Sequence, residues 1–366
     1  MSETVAVGHA TALDDAIRRA VDFLAERQLP DGAFDVLIST DPAMSGDCTS
    51  DPSIFPTALA AQALAFAPEA DPIRSRALAF LVDQMEPGGL WKHWPRGHPH
   101  QHTLPPDMDD TACASAALRL GGLSLPDNRR LILANRTRSG LFYTWFTLRW
   151  EWNAARGHRR IVWAQLRHPA VLYMFFTRTS ARPGDVDAVV NANAVHYLGI
   201  GQDTAPVVEH LLEILRSGTE SESDKWYENP FAIWYFVARA IGGAMPEAAG
   251  LLEDKLTGTR PAHALDAALA ACALMYCHRS PGQAAIEALL TLQQANGGWP
   301  RGALYFGGRL RGKKGAFDPP HPDTPRWGSE ELTTAFCLEA LARWRTLYGS
   351  GRDARLPACS RGETHA

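Results

Sequence analysis

The sequence has no large excess of charge, no closely spaced cysteines and no long apolar run. Its 36 Lys and Arg residues nearly balance 40 Asp and Glu residues, and the formal net charge is −4, so it lacks the basic field of most nucleic-acid-binding domains. The six cysteines are scattered without a Cys-x-x-Cys pair, which excludes the usual zinc and thiol-redox motifs. Every apolar run is shorter than a membrane span. Because no signal-peptide pattern occurs either, the sequence predicts a globular cytoplasmic protein.

Strand signals are also scarce, and most of the chain has helical periodicity. Amphipathic segments alternate with segments rich in alanine and other small apolar residues. Six such pairs follow one another at a spacing of roughly 40 to 60 residues, which is typical of a repeated helical hairpin. The amphipathic members begin near Thr11, Asp71, Pro126, Thr204, Pro246 and Ser280, and the apolar members begin near Asp51, Asp107, Asp185, Trp226, Arg260 and Gly328.

Helical hairpins of this kind close into a ring when the apolar helices lie inside and the amphipathic helices cover them. The predicted fold is therefore all-α, a single α6/α6 barrel over residues 1–348, with 349–366 as a disordered tail. Two segments interrupt the repeat: the aromatic insertion 142–182 and the Gly-, Pro- and Lys/Arg-rich loop 301–325. If the inner helices all run in one direction, their N-termini meet at one mouth of the barrel, where we expect the site.

The stretch PPDMDDTA places three carboxylates, Asp107, Asp109 and Asp110, at the start of an inner helix. One helix cap needs one carboxylate, so the surplus indicates a chemical task; an over-provided cap on a solvated helix start is the alternative. Mutual repulsion and an apolar cavity raise the pKa of crowded carboxyls, whereas a helix N-terminus lowers it. The sequence therefore predicts an acid cluster without fixing the net pKa shift.

Three turns combine a glutamine, a glycine and an aromatic residue. Residues 28–34 (QLPDGAF) and 293–299 (QQANGGW) both read Q-x3-G-x-F/W, and residues 84–91 (QMEPGGLW) contain one residue more. Glycine permits the reversal, the aromatic ring packs beneath it, and the glutamine amide caps helix ends. The turns predict a structural role.

These QW turns, together with DMDDTA at residues 107–112, resemble the squalene–hopene cyclase and class II terpene cyclase superfamily. The resemblance covers the whole chain as one barrel, equivalent to the β domain of those enzymes. The γ barrel that closes the active site of larger members has no counterpart. The architecture is closest to the cyclase domain of haloacid-dehalogenase-fused drimenyl and albicanyl diphosphate synthases. The resemblance implies that Asp109 is a general acid that protonates an alkene, while Asp107 and Asp110 tune and orient it.

The carbocation formed by such a protonation needs a water-poor cavity with aromatic walls, because π faces stabilise cations and water quenches them. Core packing explains each aromatic residue equally well when it is taken singly, but as a set they predict a lined pocket near the mouth. The predicted substrate-binding residues are Trp91, Trp94, Trp145, Trp226, Tyr227, Trp299, Phe306 and Trp327.

A prenyl diphosphate substrate would need cationic partners, and the densest basic run follows the last QW turn. Its residues are Arg301, Arg309, Arg311, Lys313 and Lys314, with a solvated loop as the alternative. Magnesium bridging the phosphate oxygens is expected, and zinc is not. Asp185 and Asp187 are the candidate magnesium ligands, with Asn191 and Asn193 as further candidates and helix capping as the alternative.

The run KHWPRGHPHQH contains four histidines, and their role stays open. They could donate to the acid, serve as the terminal base or bind a metal. Their spacing in a proline-containing loop is not that of helical metal ligands, so a polar surface loop is the alternative. The four are His93, His98, His100 and His102.

Four other interpretations are weaker. A prenyltransferase β subunit needs an Asp-x-Cys zinc pair, which does not occur, and a lanthionine cyclase needs a Trp-Cys turn besides Cys277 and His278. A class I terpene synthase needs DDxxD, but Asp109 and Asp110 are followed by Thr-Ala-Cys. A non-catalytic scaffold barrel leaves the acid triplet unexplained.

The predicted activity is class II cyclisation of a linear isoprenoid, an intramolecular lyase or isomerase reaction in which an unassigned base removes the last proton. The first candidate is farnesyl diphosphate, converted to a drimane-type bicyclic diphosphate. Geranylgeranyl diphosphate and a prenylated aromatic, a meroterpenoid, stay open. Segment 142–182, loop 301–325 or a second protomer of a homodimer is expected to close the mouth.

Overall fold

The structure, a computed structural model, describes residues 3–147, 169–312 and 317–349, together with residues 161, 163, 166 and 167. It is mostly helical, which confirms the predicted helical class. Fourteen α-helices lie in this part of the chain: α1 (Glu3–Arg27), α2 (Ile54–Ala63), α3 (Asp71–Asp83), α4 (Met108–Leu120), α5 (Arg129–Ala134), α6 (Pro169–Arg178), α7 (Ala188–Leu198), α8 (Ala205–Ser217), α9 (Glu220–Ser223), α10 (Pro230–Val237), α11 (Pro246–Gly258), α12 (Ala264–Tyr276), α13 (Gln283–Leu292) and α14 (Glu330–Tyr348).

Six of the helices are buried along most of their length and contact one another in a closed order. The order is α2, α4, α7, α10, α12 and α14, and α14 returns to α2. Every residue of α2 is buried, and α4 is buried from Met108 to Leu118 with the exception of Asp109. A helix that is apolar on all sides requires burial on all sides. The predicted apolar segments are therefore the enclosed helices.

Amphipathic helices cover this ring. Helix α1 contacts α14, α3 contacts α2 and α4, α8 contacts α7, α11 contacts α12, and α13 contacts α12 and α14. On α8, Val207, Leu211 and Leu215 are buried at helical spacing while Glu209 and Glu213 are exposed. Such a stripe packs on the ring and leaves the opposite face to water.

Two of the QW turns connect an outer helix to a neighbouring outer helix. The Gln28 amide donates to the Gly32 carbonyl at 2.8 Å and to the carbonyl of Ile73, at the start of α3, at 2.9 Å. Gln293 repeats this with the carbonyls of Gly297, at 2.8 Å, and Ala16, at 2.9 Å. The third turn, which contains one residue more, differs. Its Gln84 accepts a hydrogen bond from the backbone amide of Arg96 in the histidine-rich loop at 2.7 Å.

A small sheet joins the beginning and the end of the chain. Strands β1 (Leu37–Ser39), β2 (Thr49–Ser50), β3 (Tyr305–Phe306) and β4 (Arg326–Gly328) pair antiparallel in the order β2-β1-β4-β3. In the β1–β4 pair, Ile38 lies opposite Trp327. The sequence analysis did not predict these strands, because strands this short leave almost no local pattern. The sheet holds both ends of loop 301–325 against the barrel.

The starts of several enclosed helices meet at one cavity. Phe55 of α2, Asp109 of α4, Val190 of α7 and Tyr227, just before α10, all line it, as does Trp327, just before α14. The N-terminal ends of these enclosed helices therefore border one cavity, as the sequence analysis expected. No helix within the described ranges is long and apolar enough to cross a membrane.

Candidate active site

The acid motif forms the N-terminus of α4 and lines a cavity of about 670 Å³. Asp107 caps the helix from an extended backbone conformation, and its Oδ1 accepts a hydrogen bond from the Asp110 amide at 2.8 Å. Asp107 thus supplies the helix cap, and neither Asp109 nor Asp110 is needed for capping. Asp107, Asp109 and Asp110 all contribute to the cavity wall.

Asp109 is held by donors from two other parts of the ring. The Asn193 amide of α7 donates to its Oδ1, and the Tyr227 hydroxyl donates to its Oδ2 at 2.8 Å. Burial raises the pKa of the Asp109 carboxyl, while these two donors oppose the rise. The net upward shift favours a carboxylic acid that stays neutral until it gives up its proton.

Asp107 and Asp110 form a deeply buried pair beside it. They are 4% and 2% exposed, and one oxygen of each, Asp107 Oδ2 and Asp110 Oδ1, has no hydrogen-bond donor in the described part of the chain. Burial and mutual repulsion raise the pKa of Asp107 well above its usual range, and burial raises that of Asp110 to about 7. Of the opposing effects noted for the sequence, desolvation therefore outweighs the helix N-terminus.

Aromatic rings form much of the remaining wall. Trp145 and Trp226 meet edge to face at 5.8 Å, and Trp327 stacks on Tyr305 at 5.4 Å. Tyr305 and Phe55 were not among the predicted substrate-binding residues, although both follow proline- or glycine-rich loops at helix or strand starts. Six predicted residues line the cavity: Trp94, Trp145, Trp226, Tyr227, Phe306 and Trp327.

Trp91 and Trp299, the other two predicted substrate-binding residues, lie elsewhere. Both are fully buried, and each indole N–H donates at 2.8 Å to a backbone carbonyl, that of Leu81 or that of Leu289. They pack beneath their QW turns, as the structural interpretation of those turns predicts. Neither lines the cavity, because the turn lies on the outer side of the ring helix that follows it.

The described parts of both interrupting segments cover the cavity. Phe175 of α6 packs edge-on against Trp145, with ring centroids 5.0 Å apart. The Ser180 hydroxyl donates to the Gly307 carbonyl at 2.6 Å and so connects the first segment to loop 301–325. Residues 148–160 of the insertion and residues 350–366, which are all of the predicted tail except Gly349, lie outside the described residues.

Among the predicted diphosphate-binding residues that the structure describes, Arg309 alone lines the cavity. Arg301 donates to a backbone carbonyl near β1 at 2.7 Å and borders a second cavity of about 270 Å³. Arg311 lies 4.2 Å above an aromatic ring that is not part of the lining. Lys313 and Lys314 fall outside the described residues.

Two further cations at the cavity, one in the last turn of α6 and one just after it, were not predicted. Arg182 donates to three backbone carbonyls at the end of α6 and is used in capping that helix. Arg178 lines the cavity with no hydrogen-bond or ion-pair partner among the residues that the structure describes. Arg309 also donates to backbone carbonyls, those of Ser221 and Asp224. The cavity lining thus holds three arginines, Arg178, Arg182 and Arg309.

Asp185 and Asp187 do not fit a magnesium site. Asp185 forms an ion pair with the Lys225 ammonium. Asp187 accepts hydrogen bonds from the Thr144 hydroxyl at 2.6 Å and the Trp226 indole at 3.0 Å. Donors therefore occupy the lone pairs that a cation would need. Within the described ranges, no group of three His, Cys, Asp or Glu side chains is placed to hold a metal ion.

The four histidines separate into different environments. His93 lines the cavity, and its Nδ1 lies 3.6 Å from Asp110 Oδ2, while burial lowers the pKa of the imidazole. His98 pairs with Asp51 at 3.1 Å and stacks on an indole. His100 and His102 are exposed. The surface-loop interpretation thus describes the second half of the run and not His93.

Cys277 and His278 do not support a zinc site of the kind that the two zinc-enzyme alternatives require. Cys277 is buried, and burial raises the pKa of its thiol to about 12, which opposes the thiolate that zinc requires. His278 lies in a left-handed backbone conformation at the end of α12. No third ligand joins them in the described part of the chain.

Sequence analysis missed the residues that hold Asp109. Asn193 was considered only as a companion of the supposed magnesium ligands, whereas it bonds the acid. Arg239 bonds Asn193 in turn and was not considered. Arg239 could have been recognised from the sequence, because it is the one charged residue in the apolar run 230–243. A lone charge in an enclosed helix requires a partner.

No known family model matches the chain, and no curated protein sequence matches it. A solved structure of a protein from Actinoplanes matches with a TM-score of 0.60 at 20% identity, over 90% of this chain and 99% of that one. The type II terpene cyclase MstE from Scytonema matches with a TM-score of 0.60 at 16% identity, over 92% and 99%. A variant of MstE in complex with geranylgeranyl dihydroxybenzoate, its substrate, matches with a TM-score of 0.59 at 15% identity, over 91% and 97%. At these identities the likeness shows the fold alone, which this chain shares with MstE.

Proposed function

We propose that the protein is a class II terpene cyclase in which Asp109 protonates the terminal alkene of a linear isoprenoid. The observation that carries the proposal is the position of Asp109 at the wall of an aromatic cavity of about 670 Å³, with burial raising the pKa of its carboxyl. The closed order of six enclosed helices, covered by amphipathic helices, supports describing the scaffold as an α6/α6 barrel.

In the proposed reaction, the π electrons of the terminal alkene take the Asp109 proton and form a C–H bond at its CH carbon. The O–H bond of the acid breaks, Asp109 is left as a carboxylate, and a tertiary cation forms on the carbon that bears the two terminal methyl groups. The π electrons of the next alkene close a ring and move the cation along the chain, past the faces of residues such as Trp226 and Trp327. Loss of a proton to a base ends the sequence. The substrate's head group takes no part, so a diphosphate would be retained.

The proposal includes two candidate substrate classes. The first is farnesyl diphosphate, cyclised to a drimane-type bicyclic diphosphate, with Arg309 and Arg178 as the cations near the head group. The second is a larger prenylated aromatic, which is favoured by the similarity to MstE and its geranylgeranyl dihydroxybenzoate substrate. The volume lies within the range of drug-sized ligand pockets.

The test is incubation with farnesyl diphosphate, geranylgeranyl diphosphate and geranylgeranyl dihydroxybenzoate, followed by analysis for cyclic products with and without phosphatase. We expect a cyclic product from one of them, without release of pyrophosphate. Asp109→Asn should lower turnover ~10³-fold or more, because it removes the proton donor.

Asp318→Asn is the matched control. Asp318 lines the same cavity from loop 301–325, away from the acid motif, and its loss should change turnover by less than about threefold. The absence of any cyclic product, or undiminished turnover in Asp109→Asn, would refute the proposed function.

A further inference from the structure

Arg239 is a buried cation that faces no carboxylate directly. It belongs to the π-helical segment Ala238–Gly242, which continues α10, and is 7% exposed. Its guanidinium donates to three neutral acceptors: Asn193 Oδ1, Gln62 Oε1 at 3.1 Å and Cys113 Sγ at 3.7 Å. In the part of the chain that the structure describes, no carboxylate oxygen lies within ion-pair distance of it. Burying a charge without its counter-ion is costly, so this position requires an explanation.

Arg239, Asn193 and Asp109 form a chain of hydrogen bonds, called the relay here, and the contact of Arg239 with Asn193 fixes the orientation of the Asn193 amide. Arginine has donors only, so the atom of Asn193 that receives its hydrogen bond must be the carbonyl oxygen. The amide nitrogen then points the other way, and it donates to Asp109 Oδ1. The amide of Asn193 therefore cannot flip while Arg239 is present.

We infer that Arg239 is a positioning residue that acts through Asn193 to determine which oxygen of Asp109 carries the transferred proton, and that stabilises the carboxylate left behind. This inference rests on the proposed function for its catalytic meaning. Oδ1 stays an acceptor in both protonation states, so the proton belongs on Oδ2, beside the Tyr227 hydroxyl. That hydroxyl can rotate to accept a hydrogen bond from the protonated acid and to donate to the carboxylate.

Arg239 and His93 both act to lower the pKa of the Asp109 carboxyl, while Asp110 lies beside it. Burial lowers the pKa of the His93 imidazole, so Arg239 is the permanently charged cation of the two. His196 lies 3.2 Å from Gln62 Oε1, and burial together with the charge of Arg239 lowers the pKa of its imidazole well below the usual range, which keeps it neutral. Burial raises the pKa of the Cys113 thiol, so it too is neutral. Glu339, a carboxylate of α14 on this side of the ring, is already bonded to Tyr235 and Arg343.

The π segment explains how this helix delivers the side chain. Five residues in a π turn shift the register by one position relative to an α-helix, and such insertions are frequent at functional sites. The guanidinium lies 5.0 Å from the ring centroid of Phe236 and 5.5 Å from that of Tyr235, so cation–π contacts provide part of its stabilisation. Its position is thus fixed without a carboxylate that would neutralise its charge.

The direct test is a carboxyl titration in the substrate-free protein. Full-length protein labelled with ¹³C at the aspartate carboxyls is titrated by NMR, and Asp109 is assigned as the signal missing in Asp109→Asn. We expect Arg239→Met to raise the Asp109 midpoint by about one pH unit, because an opposite charge is removed. Arg239→Lys, which keeps the charge, should stay within about half a unit of wild type.

Arg343→Met is the matched control, since Arg343 is another buried arginine of the ring but bonds Glu339 and not Asn193. It should leave the Asp109 midpoint unchanged. If Arg239→Met does not fold, Asn193→Leu breaks the same relay and should raise the midpoint as well. An Asp109 midpoint that is unaltered in the folded variant overturns the inference.

With an active substrate, the kinetics should agree. Arg239→Met should lower kcat ~10²-fold with KM within about threefold of wild type. The alkaline limb of the kcat/KM profile should move to higher pH, because the protonated acid persists further. A double variant of Arg239→Met and Asn193→Ala should be no slower than the slower single variant. A lack of product with every isoprenoid would refute the proposed function, whereas the substrate-free titration judges Arg239 independently.

Discussion

At the residue scale, the acid motif combines two kinds of carboxyl with different partners. Asp109 has a donor on each oxygen, whereas Asp107 and Asp110 each keep one oxygen without a donor among the described residues. Isolated buried oxygens are destabilising when they are charged. The pair is therefore best accommodated when it holds at least one proton, next to the proposed proton donor Asp109.

The buried pair predicts a pH-dependent stability. The pKa of Asp110 is about 7 in the folded protein and about 3.9 in an unfolded chain. Because the folded-state value is the higher one, ionisation destabilises the protein progressively from about pH 4 to pH 7 and by a constant amount above. Asp110→Asn, which cannot ionise, should raise Tm by several degrees more at pH 8 than at pH 5.

Thermal denaturation at both pH values measures this. Asp47→Asn is the control, because Asp47 is exposed and its replacement should give the same small Tm change at both. An equal effect of Asp110→Asn at pH 5 and pH 8 would contradict the assignment of a raised pKa.

The carboxyl groups of the acid motif could be predicted from the sequence, but the residues that bond Asp109 could not. Asp107, Asp109 and Asp110 form a local pattern, so spacing alone was enough to select them. Asn193 belongs to α7, Tyr227 precedes α10 and the more distant Arg239 follows α10 in the π-helical segment, and only closure of the ring brings them together. A single sequence does not encode such contacts locally.

At the scale of elements, α6 is a cover that is held at few points. None of its described residues is buried, and its ring contacts to the cavity wall are those of Phe175 and Phe176 with Trp145. A segment with so few buried contacts opens at low free-energy cost. In a cyclase this cover excludes water from the cation.

Phe175→Ala should therefore let water into the cavity. With an active substrate, we expect kcat to fall several-fold and a larger share of product to carry a hydroxyl group, because water captures the cation before the last proton is lost. Tyr173→Ala on the same helix is the control, since Tyr173 is 71% exposed. Gas chromatography with mass spectrometry gives the product ratio. An unchanged ratio in Phe175→Ala would show that α6 does not exclude water.

The helix pattern was the most predictable feature at this scale. Expected starts near Asp71, Thr204 and Pro246 agree with helices that begin at Asp71, Ala205 and Pro246, because capping and proline signals act locally. The sheet was missed, since pairing Ile38 with Trp327 depends on the closed ring. The π segment was missed because its hydrogen bonds span five residues and those of an α-helix span four, a difference that leaves no clear pattern in the sequence.

At the scale of the whole molecule, the described part of the chain forms one ring of helices that encloses a cavity of about 670 Å³. The described parts of segments 142–182 and 301–325 lie over the mouth, and the Ser180–Gly307 hydrogen bond joins them. The cover is thus built from insertions into the repeat. Sequence reasoning found both insertions because they break the hairpin period, and it could not tell how they meet.

The measurement that tests the central claim most directly is the origin of one hydrogen atom. The protein is incubated in D₂O with the isoprenoid that it accepts, and the cyclic product is analysed by mass spectrometry and NMR. Proton transfer from Asp109, which exchanges with solvent, predicts one deuterium per product molecule, on the ring methylene that was the CH carbon of the terminal alkene. A cyclic product without deuterium, or one formed with loss of pyrophosphate, would contradict a cyclisation that begins with proton transfer.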